Sequence, residues 1–394
     1  MKNPKVFVLI AVVFFFTITC KKNADPKHRL MFKPMEKEVE IIEIKKIEGY
    51  PIGSDLNRGE VYIVSELKSS RKFLIKIVNI ENGEIKKLFE ISAGDFRSPT
   101  EFYNPSHVQY VNGSFYVMDQ FEKFVVFDED LNYSYSSMFH AMRKFVNIFH
   151  WHSNIYCLIG LTKNDFKSTG NNVDIFKLSK NEKPIHFTGL YKSIDYPSVL
   201  STYRKEKTFN KGYFWPSIRG FEKKGIIYFS TGLDRKLHIY DLELKTRNVF
   251  ELLFLTPHKY ENKDANQIGY YKSGGWEEKL KKDYNTDVLY VAFPAELYHF
   301  GIYDVGPDKI GIVSGLDLEN MMMHIDIIEI NVNELNYTES IKLPFSTGFI
   351  RSIAHNANDF VKTCLDMEKC IYVWLDHDEQ EDVDMVKITR FKIK

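Results

Sequence analysis

At 394 residues the chain is larger than one compact hydrophobic core normally serves, so it holds either two domains or one repeat domain with its core divided among many sheets. Lys plus Arg and Asp plus Glu number 53 each, and this zero balance removes the electrostatic basis for nucleic acid or another polyanion as partner. Aromatic residues make up 15%, with 31 Phe and 23 Tyr, as expected of sheet faces packed on one another with some rings left over for a stacking surface.

Residues 1–20 read as an address. Lys2 and Lys5 precede an apolar run from Val6 to Ile18, which is shorter than the roughly 20 residues needed to span a bilayer and has the length of a signal h-region. The run ends in Thr17-Ile18-Thr19-Cys20, followed by Lys21-Lys22. This ending resembles the lipobox of bacterial lipoproteins, whose cysteine is acylated and becomes the mature N-terminus. Thr19 stands where Gly, Ala or Ser is preferred, which is similar to the loose lipoboxes of Bacteroidetes-like and spirochaete proteins. A plain signal peptide or signal anchor is the alternative. The expected layout is a lipoprotein signal peptide over 1–20 with Cys20 as lipidation site, a flexible tether over 21–37, and a body over 38–394. That layout implies a cell-envelope location outside the cytoplasm, with the membrane as partner through the lipid.

The body begins with a strand-like segment, Val39 to Ile47, and then repeats itself. A second-strand signal follows a turn six times: Gly59 to Val64, Gly113 to Met118, Ser153 to Leu158, Gly225 to Ser230, Lys309 to Ser314 and Lys369 to Trp374. Each is followed by a third strand, at Phe73 to Ile80, Phe124 to Phe127, Val173 to Leu178, Leu237 to Asp241, His324 to Ile330 and Val383 to Ile388. Fourth strands follow the first five copies only: Ile85 to Ile91, Tyr133 to Phe139, Pro184 to Phe187, Asn248 to Phe254 and Tyr337 to Leu343. In the second copy Asn112-Gly113 suits the left-handed positions of a tight hairpin. A single meander cannot bury both of its faces, so the repeats should stack around a common axis. Val39 to Ile47 can then supply the fourth strand that the last copy lacks. The fold class expected is all-β, a six-bladed β-propeller closed by an N-terminal strand that completes the last blade.

The stretch from Pro105 through Tyr116-Val117-Met118-Asp119 to Phe127-Asp128 resembles the blades of the six-bladed NHL-like propellers, and Pro216, Tyr228 and Tyr240-Asp241 repeat the pattern more faintly. Together with the lipobox, this is similar to an NHL-like lipoprotein family of Bacteroidetes-like bacteria. The resemblance covers roughly residues 40–394 and implies the fold. It does not select a function, since propellers host binding, scaffolding, lyase and hydrolase activities alike.

The second-strand markers fall at residues 62, 116, 156, 228, 312 and 372, in steps of 54, 40, 72, 84 and 60. A four-stranded blade needs about 40–45 residues. The excess lies in insertions, the largest at 191–215 and 256–295, each between a fourth strand and the next first strand. Such connections share one face of the disc with the loops between second and third strands, and in repeat proteins that face is often the binding face. Tyr213 and Trp215 in one insertion and Tyr271 and Trp276 in the other offer flat rings to sugar faces or peptide side chains; packing down onto the blades is the competing use. A short helix is expected over Glu277 to Lys282.

Counting nine residues back from each marker selects Gly53, His107, Asn147, Arg219, Tyr303 and Thr363 on the innermost strands. His107 and Arg219 are candidates for a ligand funnel at the axis, the alternative being a hydrogen bond to a neighbouring blade. Arg97 and Arg351, on loops leading into the second and sixth blades, are candidate clamps for a carboxylate or sulfate. His150-Trp151-His152 lacks a third ligand fixed by sequence, and the acidic run from Asp376 to Asp384 lacks the Gly-punctuated spacing of a calcium loop, so no metal or cofactor is expected. No nucleophile elbow, P-loop or dinucleotide fingerprint occurs. Cys157 sits in a strand, whereas Cys364 and Cys370 flank a turn and are expected to form a disulfide in an oxidising compartment. The favoured function is a binding or scaffolding module for a glycan, peptide or partner protein. The alternative is a lyase or hydrolase that uses His107 and Arg219 in acid/base or anion-stabilising roles.

Overall fold

The computed structural model describes residues 35–67, 69–94, 98–119, 123–139, 144–160, 173–180, 182–191, 219–230, 235–257, 301–317, 320, 322–331, 334–344, 364–378 and 383–394. The described residues form strands and turns, with no helix among them.

The described chain begins on β1 (Met35–Lys37) and β2 (Val39–Glu48), which join blades built from the far end of the sequence. Blade one is β3 (Tyr50–Asp55), β4 (Glu60–Leu67), β5 (Lys72–Asn79) and β6 (Ile85–Ala93), with β7 (Glu101–Phe102) added parallel to β6. Blade two is β8 (Pro105–Val111), β9 (Ser114–Asp119), β10 (Lys123–Asp128) and β11 (Tyr133–Met138); blade three is β12 (Lys144–Trp151), β13 (Asn154–Gly160), β14 (Val173–Leu178) and β15 (Ile185–Tyr191). Blade four is β16 (Arg219–Lys223), β17 (Ile226–Ser230), β18 (Lys236–Asp241) and β19 (Thr246–Glu251). Blade five is β20 (Gly301–Gly306), β21 (Lys309–Asp317), β22 (Met322–Asn331) and β23 (Glu334–Pro344). Blade six consists of β24 (Cys364–Asp366), β25 (Ile371–Asp378), β26 (Val383–Ile393) and then β2, antiparallel to β26 from Val39 opposite Ile393 to Glu48 opposite Met385. The innermost strands β3, β8, β12, β16, β20 and β24 follow one another round the axis, and blade six meets β3. This is the six-bladed propeller and the closure expected from the sequence. Pairing starts earlier than Val39, however, because β1 lies parallel to β23 with Met35 opposite Glu339.

Burial explains the strand patterns. Second and third strands are covered on both faces by neighbouring blades, so β4 is buried from Glu60 to Ser65, whereas the outer strand β6 keeps one face in water. The apolar core is divided among the gaps between blades. One cluster joins blades one and two through Tyr62, Phe102, Phe115 and Phe127, and others join two to three, three to four and six to one. Tyr62, the first marker, meets the edge of Phe115 at 5.9 Å and 86°. Each such side chain, fully buried, stabilises by about 1.5–3 kcal/mol.

The turns carry local instructions of their own. Asn112 (φ 47°) and Gly113 (φ 81°) take the left-handed conformations their pairing suggests. In blades one, two and four the third strand ends in Asn79, Asp128 or Asp241, and that side chain caps the turn. Asp128 Oδ1 accepts from the N–H groups of Asp130 and Asn132 at 3.0 and 2.8 Å, and Asp241 Oδ1 from Glu243 and Leu244 at 2.9 Å each.

Two expectations are corrected here. Cys364 and Cys370 do not form a disulfide: Cys364 lies opposite Val373, three positions along the hairpin from Cys370, or roughly 10 Å at about 3.3 Å per residue, beyond the span such a bond allows. Cys370 is a free, half-buried thiol in a left-handed turn position (φ 54°), with its N–H donating to Met367 O at 3.3 Å and its carbonyl accepting from Phe391 N at 2.8 Å. Gly59 occupies the equivalent place in blade one, bonded to Leu56 O and Ile80 N. The count of nine residues also fails as a measure of height. Gly53 does lie opposite Tyr62, but the residues opposite Tyr116, Tyr156 and Tyr228 are Gln109, Phe149 and Phe221, because those hairpins have shorter turns.

Candidate functional site

Strand order decides which loops share a surface. First strands run toward the tight turns and second strands run away from them, so the connections β15 to β16 and β19 to β20, which contain both large insertions, leave from the face opposite the tight turns. Of the candidate site residues, His107 and Arg219 are described. Arg97, Tyr213, Trp215, Tyr271, Trp276 and Arg351 lie outside the described residues, as do Cys20 and the segment Glu277 to Lys282.

The described rim of this face is built on buried polar clasps that hold the chain arriving from the previous blade. In blade two, Asp119, 1% exposed, accepts on Oδ2 from the N–H groups of Tyr103 and Asn104 at 2.7 and 2.9 Å. Beside it Lys123, 3% exposed, donates to the carbonyls of Ser98 and Glu101 at 2.9 and 2.8 Å. Burial pushes the Lys123 ammonium below the ordinary lysine range, with Asp119 and Glu101 opposing that shift. In blade one, Lys76 donates to Glu48 O at 2.6 Å and Ser65 Oγ at 2.8 Å, and Ser65 Oγ donates to the same carbonyl at 3.0 Å. Burial lowers Lys76 in the same way, opposed by Glu48. In blade five, the fully buried Asp326 accepts from Thr256 N at 2.7 Å, Thr256 Oγ1 at 2.8 Å and Ser314 Oγ at 2.6 Å. Each clasp draws on the second and third strands of its blade, and each satisfies backbone or hydroxyl groups that burial would otherwise leave costly. The third fixes the start of the longer insertion.

A second polar system links the innermost strands. Gln109 on β8 takes the Ile148 N–H on Oε1 at 2.6 Å and donates through Nε2 to Ile148 O at 2.5 Å, joining blade two to blade three. Asn147 Oδ1 accepts from Glu222 N at 3.3 Å, joining three to four, and Lys223 donates to Asp304 Oδ1 and Gly306 O, both at 2.6 Å, joining four to five. Glu222 Oε1 accepts from Gly225 N at 2.6 Å. Burial raises this carboxyl above the ordinary glutamate value, against the opposing pull of the Gly225 N–H and of His150.

His107 stands on the same face of β8 as Gln109 and approaches its Oε1 at 3.4 Å, so it faces blade three. Arg219 stands on the same face of β16 as Lys223, which reaches Asp304 of blade five. The two candidates therefore occupy different gaps between blades, with no described contact between them. The paired histidines also separate: His152 falls in a turn (φ 47°) with Nε2 3.0 Å from Glu243 Oε2, while His150 stays on β12. Among the described residues no group of three or more His, Cys, Asp or Glu is placed to hold a metal ion. Sequence reading passed over Gln109, Lys123 and Lys76. Lys76 carried a signal, a charged residue inside the apolar run Phe73 to Ile80.

No protein-family model matches the chain, and no curated protein matches its sequence. Among solved structures, several are similar to it at low identity. The β-propeller domain of Cps50 (Swd1) from Myceliophteria thermophila is 8% identical, with 89% of this chain and 99% of that one covered and a TM-score of 0.43. A candidate exported protein from Bacteroides fragilis is 11% identical, with 91% and 99% covered and a TM-score of 0.43. BamB from Moraxella catarrhalis is 8% identical, with 87% and 85% covered and a TM-score of 0.37. The chain is a six-bladed β-propeller on the strength of its own six sheets.

Proposed function

We propose that the protein is a lipid-anchored propeller of the cell envelope, of the NHL-like lipoprotein kind its sequence resembles, and that it binds a glycan, peptide or partner protein. The face carrying the insertions 191–215 and 256–295 makes the contact. Topology supports this reading, since both long connections leave outer strands for inner ones and so emerge on one surface. That surface has a rigid base, in which Thr256 is fixed by the buried Asp326 where the longer insertion begins. Tyr213, Trp215, Tyr271 and Trp276 stack on sugar rings or apolar side chains, Arg97, Arg219 and Arg351 pair with anionic groups, and His107 adds a hydrogen-bonding edge.

The test uses detergent-extracted full-length protein. Glycan arrays and mass spectrometry of co-purifying species are compared for the wild type, Trp215→Ala and Trp276→Ala. A loss of about tenfold or more in binding is expected for at least one variant. Binding that both variants retain in full would move the site off this face. Separately, Cys20→Ser should abolish incorporation of labelled fatty acid.

A further inference from the structure

Residues 35–48 cross two blades in one extended run, parallel to β23 and then antiparallel to β26. The two ends of this run are held very differently. Seven of the ten residues of β2 are exposed and only Ile47 is buried, while Ile41 and Ile42 stand 37% and 51% exposed. Apart from backbone pairing along one edge, the side-chain fastenings of residues 35–46 are the partly exposed Lys37–Glu339 pair at 2.8 Å, the partly exposed Glu43–Lys387 pair at 3.4 Å and the half-buried Ile44 against the cluster between blades six and one, and the N–H of Lys394 donates to Glu38 O at 3.0 Å. The far end is held by blade one. Glu48 O takes both Lys76 and Ser65, and at the next residue, Gly49 (φ 118°), a Cβ would lie 2.4 Å from Val64 O.

Local opening follows the distribution of buried contacts and bonds along an element. We infer that residues 35–46 form a strap that opens and recloses on its own, peeling from blades five and six as far as the Glu48 clasp while the six sheets stay folded. Opening frees 12 residues, or about 40 Å of extended chain, between the N-terminal segment and the ring. It also leaves the outer edge of β26 unpaired. This device goes beyond the binding role and does not depend on which ligand the insertion face takes.

Hydrogen exchange on the full-length protein tests it. The bond from Lys394 to Glu38 makes Val39 and Ile393 a non-hydrogen-bonded pair, so the amides of Glu40 and Ile42 are the ones aimed at β26. They should exchange at least about tenfold faster than the paired amides of β25, with protection rising at Ile47. Exchange of Glu40 and Ile42 at the β25 rate would overturn the strap. In a Cys370→Asn background, Val39→Cys with Ile393→Cys should slow both amides to the β25 rate when oxidised and release them when reduced; exchange indifferent to the crosslink would overturn it equally. Ser65→Ala with Lys76→Met should extend the fast zone through Ile47, and a zone that still ends before Ile47 would remove the clasp from the proposal.

Discussion

Asp119 shows how a residue that looks like a family signature acts physically: one buried carboxylate oxygen satisfies two successive backbone N–H groups where the chain passes from blade one to blade two. Asp119→Ala leaves both donors without that acceptor and should cost about 3 kcal/mol in urea unfolding, with Asp119→Asn intermediate. Glu222 is the reverse case, a carboxyl whose burial works against its charged form. Its folded-state pKa lies above the ordinary 4.5, so its favourable contribution is complete below that value and is lost as pH rises through the folded one. Glu222→Gln keeps an oxygen for Gly225 N, so the variant should melt higher than wild type at pH 7 and lose that advantage near pH 4. Cysteine spacing misled because it carries no register. Only the pairing of Cys364 with Val373 shows that Cys370 occupies the left-handed turn position that Gly59 fills in blade one.

At the level of strands, apolar runs and turn residues made the second and third strands of every blade legible, since those strands are buried on both faces and their composition has little freedom. Heights along the innermost strands were not legible. They depend on hairpin length, which differs between the turn from Leu56 to Gly59 and the tight Asn112-Gly113 turn, so the count from the markers landed beside Gln109 rather than on it. Gln109 itself gave no warning, because its two shortest bonds are to backbone atoms of the next blade. The count did find Gly53, where β3 approaches β8 so closely that a Cβ would lie 1.9 Å from Val108 O. Gly53→Ala must push blades one and two apart and should lower stability by several kcal/mol, roughly 3 or more, read from thermal unfolding, whereas Gly113→Ala, with open space and only a left-handed φ to strain it, should cost about 1–2 kcal/mol.

For the whole ring, closure could be foreseen because one strand was missing at the C-terminal end and one was spare at the start. The extension of pairing back to Met35 could not, since three residues of parallel edge carry no periodicity. The candidate site was legible only as a surface. Loop length and strand order select the face, but which rings and arginines meet there depends on packing that no spacing encodes. Removal of residues 35–48 should lower the melting temperature by about 5–10 °C and raise the apparent mass in size exclusion, because Ile47 leaves its cluster and β26 gains an open edge. The bond between Lys394 and Glu38 has one further consequence, which concerns the linear order of the sequence. Lys394 lies beside the residue that precedes the closing strand, a separation of one strand spacing, about 4.8 Å. A few glycines joining Lys394 to Val39 would make the backbone a circle, and cutting it at the uncrowded Asn112-Gly113 turn would give a cyclic permutant in which all six sheets keep their neighbours.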